Sequence, residues 1–131
     1  MILLDTHVIL WLVLAPERIS RLAASAIRRA RVSEGIAIAD ISLLELATLF
    51  SRGSVRYSGT LESAVRTIVE SSGANVRPIT PEIAALATQF PEEYPRDPSD
   101  RLIGATARAE GLPLITRDER IRNCALLKTI W

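Results

Sequence analysis

Ile2-Leu3-Leu4-Asp5-Thr6-His7-Val8-Ile9-Leu10-Trp11-Leu12-Val13-Leu14 is the stretch whose reading decides the fold. Ile2 to Leu4 is a short apolar run that stops at Asp5, the pattern of a buried strand. From Thr6 to Leu14 the spacing predicts a helix that is apolar on nearly every side. Such a helix is either fully buried or part of an interface. Pro16 ends it or opens the next turn.

The alternation continues along the chain. Ser20 is a cap for a second helix, with Leu22, Ala23, Ala26, Ile27 and Ala30 on one stripe and arginines around it. Gly35 breaks that helix, and Ile36 to Ala39 is a second buried strand. Ser42 starts a helix over Leu43–Phe50, and Ser42 and Glu45 have capping-box spacing. Gly59 and Thr60 precede a helix from Leu61 to Val69, ended near Gly73. Val76 to Ile79 is a weak strand. Thr80-Pro81-Glu82 opens a helix to about Phe90. Asp97-Pro98-Ser99-Asp100 opens another, stopped by Gly111 after Glu110. Leu114 to Thr116 is a strand, Asp118 begins a brief helix, and Leu127 to Trp131 is a last strand. Strands alternating with helices imply an α/β fold with a mainly parallel sheet and helices on both faces.

A chain of 131 residues is expected to form one domain, residues 1–131, with a core that needs no disulfide or structural metal. Hydrophobic residues make up 48% and charged residues 24%, which excludes a disordered or low-complexity chain. The longest apolar run, Val8 to Ala15, is far too short to span a bilayer. No secretory signal is expected, because no basic segment precedes the first apolar stretch. The single cysteine, Cys124, and single histidine, His7, exclude a multi-cysteine or two-histidine metal site and argue against a histidine-centred triad. The net charge of +1 is not that of a basic nucleic-acid coat, so any such contact must come from a local patch. Lys128 is the only lysine; every other basic side chain is arginine, suited to planar contacts with phosphate, although a genomic base bias produces the same excess.

The aspartates are Asp5, Asp40, Asp97, Asp100 and Asp118. Asp5 and Asp40 follow strands directly, Asp118 lies just beyond one, and Asp97 and Asp100 open a helix. In an open parallel sheet these positions, with Glu45, fall on the carboxyl edge where such folds place their sites. Each acid alone has a structural explanation as a cap or a strand end. Together they repel one another, and a divalent cation relieves that repulsion. With oxygen donors alone the cation is magnesium or manganese. Such a site polarises a phosphoryl oxygen and activates water, the tasks of phosphodiester hydrolysis.

Asp5-Thr6-His7, Ser42-Leu43-Leu44-Glu45-Leu46, Arg96-Asp97-Pro98-Ser99-Asp100-Arg101 and Thr116-Arg117-Asp118, in this order, resemble the PIN-domain ribonucleases. Among them the match is to the VapC-type toxins of type II toxin–antitoxin pairs, and it spans essentially the whole chain to Ile130-Trp131. The resemblance implies a PIN-like three-layer α/β/α fold and an endoribonuclease dependent on Mg2+ or Mn2+. It implies Asp5, Glu45, Asp100 and Asp118 as the catalytic acids, with Asp5, Asp100, Asp118 and Asp97 holding metal. Thr6, Ser42 and Thr116 supply supporting hydroxyls, and Arg101 and Arg117 contact phosphate or brace the acids. It further implies a cognate VapB-type antitoxin, an RNA substrate, a homodimer, a cytoplasmic location and no membrane. Ile9, Leu10, Trp11 and Leu12 are the expected partner interface. His7 is read as a positioning residue and Trp131 as packing.

The sequence departs from the family pattern at two positions and adds an acid at a third. Tyr94 stands near the place where many relatives carry histidine, Leu44 stands where many carry tryptophan, and Asp40 is an acid outside the pattern. Two other functions compete. One is a catalytically silent module that uses the fold to bind RNA or a protein, against which the intact acids count. The other is a phospho-acceptor receiver domain, which wants a lysine near the acids; Lys128 lies within the last expected strand.

Overall fold

The computed structural model describes residues 1–131. Five strands, β1 (Ile2–Leu4), β2 (Ile36–Ala39), β3 (Asn75–Arg77), β4 (Leu114–Ile115) and β5 (Thr129–Ile130), form one sheet in the order β3-β2-β1-β4-β5. Every pairing is parallel, with Ile2 opposite Ile36 and Leu3 opposite Leu114. The helices are α1 (Thr6–Leu14), α2 (Arg21–Arg31), α3 (Ile41–Ser51), α4 (Leu61–Ser72), α5 (Pro81–Ala87), α6 (Pro98–Glu110) and α7 (Glu119–Arg122). A 3-10 turn, Pro16–Arg18, links α1 to α2.

Strand alternation divides the apolar side chains between two cores. Ile2, Leu4, Ile36, Ile38 and Ile115 point into one, where Val8, Ile9, Ile27, Leu46 and Ile68 of α1 to α4 meet them. Leu3, Ala37, Ala39 and Leu114 point into the other, against Ile83, Ile103 and Ile121 of α5, α6 and α7. The result is the three-layer α/β/α arrangement. The order of strand addition reverses at β1: β2 and β3 extend to one side, β4 and β5 to the other. A crevice therefore opens at the carboxyl ends of β1 and β4, the place where open parallel sheets bind ligands.

The local start and stop signals at α6 act as read. Asp97 caps it, accepting from the Ser99 amide at 3.2 Å, Pro98 is its first residue, and Gly111 ends it at φ +66°. Gly104 inside α6 has a packing reason. A Cβ there would lie 2.8 Å from the Phe90 ring and closer still to the Tyr94 hydroxyl.

Other expectations need correction. α3 begins at Ile41, so Ser42 lies inside the helix and no side chain caps it. The Ser42–Glu45 spacing is therefore not a capping box. Leu22 is exposed; the buried stripe of α2 is Ala23, Ala26, Ile27 and Ala30. β3 runs Asn75–Arg77 rather than Val76 to Ile79, and α5 stops at Ala87. The nearly all-apolar α1 is embedded, packing on α3 and α4 as well as on the sheet. Ile9 and Leu10, expected at a partner interface, are buried core residues, whereas Trp11 and Leu12 are half-buried.

Candidate active site

Asp5 is held where β1 turns into α1. Its Oδ1 accepts from the Thr6 amide at 2.8 Å and its Oδ2 from the Thr116 hydroxyl at 2.7 Å. Thr116, fully buried at the end of β4, also accepts from the Asp118 amide at 3.1 Å. One hydroxyl thus ties the carboxyl ends of β1 and β4 together. Burial pushes the Asp5 carboxyl up, against the lowering effect of these two hydrogen bonds.

Glu45 reaches the same place from the interior of α3. Thr6 donates its hydroxyl to Glu45 Oε1 at 2.5 Å. Thr6 has a single hydroxyl proton, so the buried Ser42, 2.8 Å away, must donate to Thr6. This Ser42–Thr6–Glu45 chain fastens α3 to α1. Burial raises the Glu45 pKa; the Thr6 bond opposes that, and Asp5 and Asp97 add to it.

Asp100 sits in the first turn of α6, and its carboxyl makes no hydrogen bond within the chain. It is pushed up to about 7, first by burial and then by Asp5, Asp97, Glu45 and Asp118. Asp118 caps α7, its Oδ1 accepting from the Arg120 amide at 2.9 Å. Asp5, Glu45, Asp97, Asp100 and Asp118 share one cavity of about 420 Å³, completed by His7, Val8, Trp11 and Arg117.

The remaining expected residues fall as follows. Thr6, Ser42 and Thr116 form the hydroxyl framework just described. Arg117 lines the cavity, whereas Arg101 does not. Asp40 lies outside it: one oxygen accepts from the Ile79 amide at 3.0 Å, fastening the segment after β3, and the other is buried without a partner. Lys128 does not line the cavity, which removes the lysine a phospho-acceptor site wants.

Sequence reasoning noted Tyr94 only as a departure from the family pattern and gave it no role. Its buried hydroxyl donates to the Asp100 carbonyl at 2.6 Å, and its ring stacks on Phe90 at 4.0 Å. It thereby clamps the first turn of α6 that carries Asp100. The available signal was Gly104, because a glycine inside a helix is costly unless something must approach closely.

The donor set suits a hard divalent cation, being carboxylate oxygen without a cysteine or histidine cluster. No three of these side chains are gathered into a set that encloses a cation. The hydrogen bonds give a physical reason: Asp5 is engaged with Thr6 and Thr116, Glu45 with Thr6, and Asp118 with α7. The acids converge on a cavity rather than on a point.

Comparison with known proteins places this geometry in context. The PIN domain family model matches residues 2–126. The chain is 39% identical over 124 residues to Ribonuclease VapC22 of Mycobacterium tuberculosis (strain ATCC 25618 / H37Rv), covering 93% of this chain and 90% of that protein. Among solved structures it is similar to VapBC2 from Rickettsia felis bound to a DNA fragment from their promoter, with a TM-score of 0.69 at 18% identity, over 98% of this chain and 97% of that one. It is also similar to VapBC-1 from nontypeable Haemophilus influenzae, with a TM-score of 0.66 at 21% identity, covering 98% and 96%.

Proposed function

The chain belongs to the PIN-domain family, and from that premise we propose that it is a metal-dependent endoribonuclease, the toxin of a VapBC-type toxin–antitoxin pair. Residues 1–131 form a single such domain in this proposal. The observation that carries it is the gathering of Asp5, Glu45, Asp97, Asp100 and Asp118 in one cavity at the carboxyl edge of β1 and β4.

Asp5, Asp100 and Asp118 would hold the cation, with Asp97 at the edge of the set. Magnesium or manganese, when bound, supplies charge neutralisation and Lewis-acid polarisation of a phosphoryl oxygen. Thr116 fixes Asp5 and the backbone of Asp118 relative to each other. Tyr94 holds the α6 turn that presents Asp100. Glu45 stands outside the ligand set; Thr6 holds its Oε1 and leaves Oε2 to orient or deprotonate the attacking water. Water adds to phosphorus, the bond to the 3′ oxygen breaks, and the products carry 5′-phosphate and 3′-hydroxyl ends.

The test is cleavage of RNA by the purified chain with magnesium or manganese, its loss on chelation, and its loss in Asp5→Asn. Metal-independent cleavage that survives Asp5→Asn sinks the proposal. The competing reading is the catalytically silent binding module. Saturable magnesium binding that is lost in Asp5→Asn decides against it.

The proposed protein partner is a VapB-type antitoxin, and a homodimer belongs to the same proposal. With Ile9 and Leu10 in the core, an open apolar surface is offered by a groove of about 440 Å³ between α3 and α4, lined by Leu43, Ala47, Val65, Val69 and Val76 with Glu62, Arg66 and Glu70. Co-expressed antitoxin should rescue growth from the parent chain but not from Val69→Asp. Rescue of both removes this groove from the interface. No helix is long and apolar enough to cross a membrane.

A further inference from the structure

The rim of the acid cavity carries an arrangement that the acids and their hydroxyls do not explain. Trp11 stands there half-buried, flanked by the rings of His7 at 5.9 Å and Trp131 at 6.0 Å. Two guanidinium groups lie over its indole: Arg18 at 5.0 Å from the ring centre and Arg117 at 5.9 Å. Arg18 comes from the 3-10 turn after α1, and Arg117 from between Thr116 and Asp118. They reach one ring from opposite ends of the chain.

Both arginines are exposed, and neither guanidinium makes an ion pair or a hydrogen bond within the chain. The ion-paired arginines are Arg66, Arg77 and Arg120. That is unexpected for Arg117, which lines a cavity with five carboxylates and belongs to the residue type that pairs with them bidentately. The cation–π contact with the indole accounts for it, because it places the guanidinium beside the ring and leaves its N–H groups free. Free planar N–H edges suit phosphate oxygens. The need is also present: a cavity of carboxylates repels a polyanion, and the net charge of +1 provides no general attraction.

Resting on the ribonuclease proposal above, we infer that Arg18 and Arg117, aligned by Trp11, grip the RNA phosphates flanking the bond presented to the acids. Trp11 is a positioning residue that acts through the two arginines. Arg18 is the residue that neither the motifs nor the acid cavity identifies. An acidic segment of a protein partner is the competing occupant; the placement of Arg117 among the acids favours RNA, since the substrate must enter there.

The test measures binding of a fluorescently labelled single-stranded RNA in magnesium across a salt series. It uses the Glu45→Gln background, which keeps the proposed cation ligands and slows cleavage. Each phosphate contact on a single strand contributes about 0.7 to the slope of log affinity against log salt. Arg18→Gln and Arg117→Gln should each lower the slope by about that amount and weaken binding roughly five- to tenfold. Trp11→Leu should lose as much as either, and Trp11→Phe should recover most of it because a ring face remains. In turnover with Glu45 restored, the loss from Arg18→Gln should be carried in KM rather than kcat. The arginines are exposed, so their variants read out the grip even if Trp11→Leu fails to fold.

Parental slopes in both arginine variants, beside metal-dependent cleavage by the parent, overturn the grip alone. Parental RNA binding with loss of antitoxin capture assigns the rim to the protein partner and overturns it too. A parent that neither binds nor cleaves RNA removes the ribonuclease proposal and the grip with it.

Discussion

α3 and α6 each bring an acid to the cavity three residues after a polar side chain, Glu45 after Ser42 and Asp100 after Asp97. In α6 the pattern is local: Asp97 caps the helix and Asp100 lies in its first turn. In α3 it is tertiary. Ser42 is one residue inside the helix and, with Glu45, meets the hydroxyl of Thr6, which lies far back in the chain. The same spacing therefore serves helix initiation in one case and a bond between helices in the other. A capping motif is recognisable from one segment, whereas a side-chain chain between two elements depends on how they dock.

The largest expected effect treats the two acids alike. Glu45→Gln and Asp100→Asn keep size and most hydrogen-bonding capacity while removing a carboxylate. Each should lower RNA cleavage a hundredfold or more, the loss of an interaction worth about 3 kcal/mol in the transition state. Melting temperatures should stay near the parent or rise slightly where repulsion is relieved. Full metal-dependent activity in both variants makes these acids structural only.

Ser42 separates the two helices. Asp caps a helix as well as Ser. If Ser42 were a cap, Ser42→Asp would be neutral. Inside α3 it places a second carboxylate, at a fully buried position, beside the Thr6–Glu45 bond, where an unpaired charge is costly. Ser42→Asp should lower stability by about 2 kcal/mol or more by denaturant unfolding. Parental stability would falsify the bond between α1 and α3 as a structural element.

Proton linkage sharpens the α6 side. The Asp100 carboxyl titrates near 7 in the folded chain, against an ordinary value of 3.8. Between those values the folded chain holds a proton that the unfolded chain has released. Stability from this group is therefore lost as pH rises through that window. Asp5 and Glu45 are shifted in the same direction and add to the trend. Without divalent metal, the melting temperature should be several degrees higher at about pH 5 than at about pH 8. Asp100→Asn should flatten that difference, and magnesium should raise the value at about pH 8. A flat profile in the parent chain contradicts the crowding of the acids.

The comparison also shows how much was legible in the sequence. Asp97, Pro98 and Gly111 act within their own turns, so the bounds of α6 follow from composition alone. β1 and β2 are equally local, being short apolar runs that end at Asp5 and Asp40. The acids of the cavity follow from strand ends and parallel topology, which gather carboxyl termini on one edge. Ser42, Tyr94 and Trp11 were less legible because what each touches, Thr6, the Asp100 carbonyl and the two arginines, is brought to it by packing. Asp40 misled for the same reason: it ends a strand on the correct edge, yet its oxygen is spent on the Ile79 amide.

The smallest expected effect falls on Asp97, where local and functional roles meet in one side chain. Its Oδ1 accepts from the Ser99 amide, a bond that Asn can keep, so Asp97→Asn should melt near the parent. Its charge acts from the edge of the set, adding to the crowding around Glu45 and Asp100. Cleavage should fall only a few-fold, roughly 1 kcal/mol or less, and the midpoint for magnesium activation should move to higher concentration. Asp97→Ala should lose stability as well, because the cap itself goes. A dead Asp97→Asn beside an active Asp100→Asn reverses the roles of the pair, making the cap residue the essential acid. Equal, near-parental activity in both leaves α6 as a helix start and nothing more.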